Sequence, residues 1–168
     1  MIAYVAGTLV MALLAVVQSS LLNRFPFLNG TANLILLATV SWALTGRVTA
    51  AMVWAFFGGL FLDLLSGAPF AVSSMALVAA VYLASLTEGR FWEAHPMAPL
   101  GVMAVASLVF FALTMAALWI SGHPMDLALA MTQVVLPSAF LNVLLALPSS
   151  QLAGRVREAA FPPPVRMG

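Results

Sequence analysis

Apolar residues run along this chain in six long blocks, about 3–22, 31–45, 48–65, 71–86, 99–120 and 127–147. The separators NRFPFLNG, TGR, SGAPF, TEGRFWEAHPM and SGHPMD, together with the tail after Pro148, hold the turn formers and nearly all the charge. A helix needs roughly 20 mostly apolar residues to cross the hydrocarbon core of a bilayer. Most blocks reach or approach that length, and the second must borrow from its neighbours to do so. The pattern predicts an all-α integral membrane protein, six transmembrane helices in one bundle over residues 1–150. The remainder, 151–168, mixes arginines with a polyproline run and lacks apolar surface to fold, so a disordered cytoplasmic tail is expected there.

Composition narrows the reading. Of 168 residues 64% are hydrophobic and 7% charged, with a mean hydropathy of +1.11, too little polar surface to cover a water-soluble domain. There is no cysteine, which excludes disulfides, thiolate metal sites and cysteine nucleophiles. The six basic residues are all arginines and are scattered, so no basic patch exists to hold nucleic acid. The first block has no basic n-region and the length of a span, and is expected to be retained rather than cleaved as a signal peptide. With an even number of spans, Arg47, Arg90, Arg155, Arg157 and Arg166 fall on one side and Arg24 on the other. The positive-inside rule then predicts a multi-pass protein with cytoplasmic N- and C-termini. Trp42, Trp54, Trp92 and Trp119 lie near block ends, as interfacial anchors do, although packing would also place them there.

Helices in lipid associate by close backbone approach and hydrogen bonds, because burial from water offers no gain. Small residues at four-residue spacing predict contact faces: Ala51, Ala55 and Gly59 in the third block, Ala76, Ala80 and Ala84 in the fourth, Ala112 and Ala116 in the fifth. Asp63 continues the first of these stripes, so it points into a helix contact. The following SGAP reads as a helix stop, Gly67 past the last turn and Pro69 beyond it. The carboxylate therefore sits in a last turn, where the helix dipole disfavours it, and needs a partner. Two roles fit. Asp63 braces the turn by accepting from free N–H groups at the start of the fourth helix, around residues 71–73, or it pairs with a group on another molecule, Arg24 being the candidate cation within the chain.

Gln18, Ser19 and Ser20 end the first block on the same predicted side as Asp63, and Asn33 opens the second there. Gln18, Asn33, Asp63 and Arg24 could converge near the outer face, which makes that region the candidate site. In the sixth block Pro137 frees the carbonyl of Gln133, so a kink or local unwinding is expected. Ser138 and Asn142 share one face and are read as packing contacts. His95 and His123 precede prolines in loops, without metal-ligand spacing. No GxSxG, glycine-rich phosphate loop or paired intramembrane carboxylates occur. No catalytic residue, cofactor or metal is expected.

The order QSSL, then NGTANLILLATVSWAL, then WAFFGGLFLDLLSGAPFAVSSM resembles the rod shape-determining protein MreD family, most specifically at GGLFLDLLSGAPFA. The resemblance implies a non-enzymatic subunit of the bacterial inner-membrane cell-elongation machinery. It would work beside MreC, the MreB filament, RodA and a penicillin-binding transpeptidase in building peptidoglycan, with membrane lipid around it. It also implies a fold like the S-component of energy-coupling-factor vitamin transporters. That supplies a second reading, a membrane protein that binds a small molecule.

Overall fold

The computed structural model describes residues 2–22, 30–67, 69–87, 97–123 and 126–161. Arg24, Arg90, Trp92, His95 and Arg166 lie outside them. The elements are α1 (Ile2–Val17) running into a π-turn (Gln18–Leu22), α2 (Leu34–Ala43), α3 (Val48–Ser66), α4 (Val72–Ser85), α5 (Ala98–Ile120), a short α6 (Leu127–Ala130), a second π-turn (Met131–Val135) and α7 (Leu136–Ala160). Among the described residues, four stretches are long and apolar enough to cross a membrane: Ala3–Ser20, Val48–Ser66, Ala98–Ile120 and Leu127–Ala160. The second and fourth blocks become helices of only 10 and 14 residues.

The short α2 is the centre of the molecule. Eight of its ten residues are buried, and it packs against α1, α3, α4, α5 and α7. A helix enclosed by protein on every side but the one facing the mouth between α1 and α7 has little bilayer thickness to match, so ten residues suffice. The remaining helices form a horseshoe around it in the order α1, α3, α4, α5, α7, and α1 and α7 stand apart at its mouth. Outward faces carry large side chains such as Leu9, Leu13, Leu64, Val105, Phe140 and Leu144. Among the buried residues, alanine, serine and threonine recur where helices meet. This is the distribution expected when the solvent is lipid.

The tightest contact joins α3 to α4. Ala51, Ala55 and Gly59 are buried on one side, Ala76, Ala80 and Ala84 on the other. A Cβ on Gly59 would collide with the backbone of Ser74, and the Ser74 hydroxyl donates to the Phe56 carbonyl at 2.9 Å. Ala112 and Ala116, by contrast, are exposed on α5. Trp42 and Trp54 are packing residues: both are buried with ring centroids 4.9 Å apart, and the Trp54 indole N–H donates to the Tyr4 carbonyl at 3.2 Å. Trp119 is exposed at the end of α5.

The expectation of disorder after residue 150 does not hold for 151–160, which continue α7 through Pro148 to Ala160. Proline removes one helix bond, but the turn is held elsewhere. Ser149 Oγ lies 2.9 Å from Ser41 Oγ on α2, Ser149 and Ser150 hydroxyls donate to the Ala146 and Leu147 carbonyls, and Ser150 and Ala153 are buried. Residues 162–168, with the polyproline run, lie outside the described residues. At Pro137 the local unwinding takes the form of the π-turn, where the Leu136 N–H reaches back to the Met131 carbonyl.

Candidate functional site

Because α2 is short, its first turn lies inside the bundle, and its free N–H groups cannot reach water. Each unpaired donor would cost several kcal/mol in an apolar surrounding. The neighbouring helices supply acceptors. Leu34 N–H donates to Gln18 Oε1 at 2.9 Å, from the π-turn that ends the first helix. Asn33 N–H donates to Asn142 Oδ1 at 2.8 Å, and Thr31 N–H to Ser138 Oγ at 3.0 Å, both from α7. Asn33 caps its own helix, its Oδ1 accepting from Leu36 N–H at 3.0 Å. Asn142 Nδ2 then donates to Ser107 Oγ on α5 at 3.2 Å. This knot joins four helices through side chains that are all buried. Gly30 lets the chain enter it, since a Cβ there would stand 2.6 Å from the backbone of Pro137 and Ser138.

Asp63 does not join the knot. Its carboxylate is buried and accepts from Ser73 N–H, 3.1 Å to one oxygen and 3.2 Å to the other. Ala71, the N-cap of α4, has no side chain able to cap the helix, so α3 supplies the capping acceptor in its place. The negative charge sits unfavourably at the end of α3 and favourably at the start of α4. The turn between them needs left-handed backbone at Gly67 (φ 69°) and at Ala71 (φ 70°), and Val72 N–H reaches the Pro69 carbonyl at 3.4 Å. Glycine adopts that conformation freely and alanine does so at a cost of roughly 1–3 kcal/mol.

Of the residues expected to converge, Gln18 and Asn33 do meet, while Asp63 bonds to α4 and Arg24 lies outside the described residues. Ser19 Oγ is buried without a partner among the described residues, and Ser20 is exposed. The sequence reading did not connect Ser138 and Asn142 with Gln18 and Asn33, nor single out Ser107. The available signal was the need itself: a short apolar block opening with Asn33 leaves donors that only polar residues inside other spans can meet.

Together these features define the class, a multi-pass all-helical membrane protein whose buried polar side chains are largely spent on its own backbone. The family model for the rod shape-determining protein MreD matches residues 1–149, and the chain belongs to that family. It is thus a rod-shape-determining membrane protein. No curated protein and no solved structure matches it significantly.

Proposed function

We propose that this chain is a non-enzymatic inner-membrane subunit of the cell-elongation machinery. It crosses the membrane six times with both termini cytoplasmic, binds MreC, and supports peptidoglycan synthesis alongside RodA, a penicillin-binding transpeptidase and MreB. The family match over 1–149 carries this reading. A scaffold role is further supported by the knot and by Asp63, whose bonding serves helix termini rather than a bound molecule.

A cavity of about 860 Å³ between α1 and α7 is the one observation that favours the second reading, a binder of small molecules related to vitamin-transporter S-components. Such a site wants several convergent polar groups. Apart from Ser149 and the indoles of Trp42 and Trp54 this lining is apolar or glycine, which weighs against a polar vitamin.

The test is complementation in a rod-shaped bacterium depleted of its own MreD-family protein, with affinity capture of the tagged chain. Rods should be restored and MreC captured with the chain. Round cells despite normal accumulation in the membrane would contradict the proposal. Rods without captured MreC would remove the binding half of it.

A further inference from the structure

The mouth of the horseshoe is an apolar groove. Its floor is α2, at Leu34, Leu37, Ala38 and Trp42, and its walls are α1 and α7. The volume of about 860 Å³ lies toward the upper end of the roughly 300–1,000 Å³ that small-molecule sites occupy. On α1 the lining extends from Ala3 to Leu14, about 16 Å at 1.5 Å per residue, close to half of the roughly 30 Å hydrocarbon core. On α7 it continues to Phe161, far enough to enter the headgroup zone. The lining ends at Leu14, Leu34 and Leu145, next to the bonds from Leu34 N–H to Gln18 and from Asn33 N–H to Asn142.

The open end carries positive charge. The Arg47 guanidinium stacks on the Phe161 ring, 3.3 Å from its centroid, and Phe161 lines the groove. Leu152, Val156 and Ala160 form the α7 wall; helical spacing puts the exposed Arg155 and Arg157 on its two flanks and Glu158 on the far face. Among the described residues none of these arginines has a carboxylate partner. On the floor, the indole N–H of Trp42 is buried without an acceptor among the described residues.

We propose that the groove holds an acyl chain of an anionic phospholipid from the leaflet on the Arg47 side, with its phosphate at Arg47 and with Arg155 and Arg157 adding positive potential from the two flanks of the α7 wall. The apolar walls match the chain, the depth matches one leaflet, and the charge matches the headgroup. A spanning helix from another protein or a second copy would need a furrow through the whole bilayer, and this one stops halfway, at the knot.

Native mass spectrometry of the full chain in detergent, with palmitoyl-oleoyl phosphatidylglycerol or the matched phosphatidylcholine, tests this. The chain should retain phosphatidylglycerol over phosphatidylcholine, and Arg47→Gln should reduce that preference about fivefold. Arg155→Gln, at an exposed position, should reduce it in the same direction. Ala38→Phe fills the floor and Ala6→Leu the α1 wall, and both should abolish retention of either lipid. If Ala38→Phe fails to fold by circular dichroism, Ala6→Leu at its exposed position still decides. Equal retention of the two lipids by the unaltered chain would overturn the proposal, as would retention unaffected by Ala6→Leu. So would a photoreactive residue at Leu152 that captures a protein helix, or a second copy, in native membranes instead of lipid.

Discussion

Asp63 lies between two helix dipoles, and which of them it answers decides its role. Its carboxylate accepts from Ser73 N–H at the start of α4, and a neutral acceptor of the same shape would serve there nearly as well. Asp63→Asn should therefore lower stability by about 0.5–1 kcal/mol, the difference between a charge-assisted and an ordinary bond. Asp63→Leu leaves the N–H unpaired and should lose about 1–3 kcal/mol; thermal melts of purified protein in detergent compare the two. Gly59 is tested at the same scale. Its missing side chain lets the backbone of α4 approach, so Gly59→Ala should push α3 and α4 apart and destabilise the protein by about 1–3 kcal/mol. Gly101→Ala, inside α5 where nothing stands within 4 Å of the new Cβ, should melt no lower than the unaltered chain, since alanine favours the helix by about 0.5–1 kcal/mol.

At the level of elements, the helical regions were readable from the blocks, because a run of apolar residues between turn formers leaves little choice in lipid. Lengths were less readable. Residues 31–45 look like a truncated span, but the helix inside them is ten residues long because five other helices pack against it. Pro148 looks like an end, and α7 passes through it because Ser149, Ser150 and Ala153 hold the next turns against the bundle. Neither outcome follows from local composition, since both depend on which helices become neighbours. The α7 extension makes a prediction. Ending the chain after Leu147 removes the Ser41–Ser149 contact and the Arg47–Phe161 stack, and should destabilise the bundle by about 1–2 kcal/mol. Ending it after Phe161 should leave the melting curve and cell shape unchanged, and parallel melts with complementation compare the two truncations.

For the whole molecule, the horseshoe around α2 explains why polar residues scattered over four blocks are needed at all. The sequence placed Gln18 and Asn33 on one side but drew Asp63 into the same cluster. A carboxylate bonds to the nearest free donors, and the turn at 67–71 brings those of α4 within reach first. The proposed orientation rests on the arginines alone, and it predicts that a reporter active only in the cytoplasm works when fused after Arg157 and is silent when inserted near Gly67. The reverse pattern would invert the proposed topology. The central claim is that the intramembrane polar groups build the scaffold and carry no chemistry of their own. Its most direct test is rod-shape rescue plotted against the amount of folded protein in the membrane for Gln18→Leu, Asp63→Asn and Asn142→Leu. All three should fall on the curve obtained by lowering expression of the unaltered chain. A variant that accumulates at the normal level yet leaves the cells round would contradict the account.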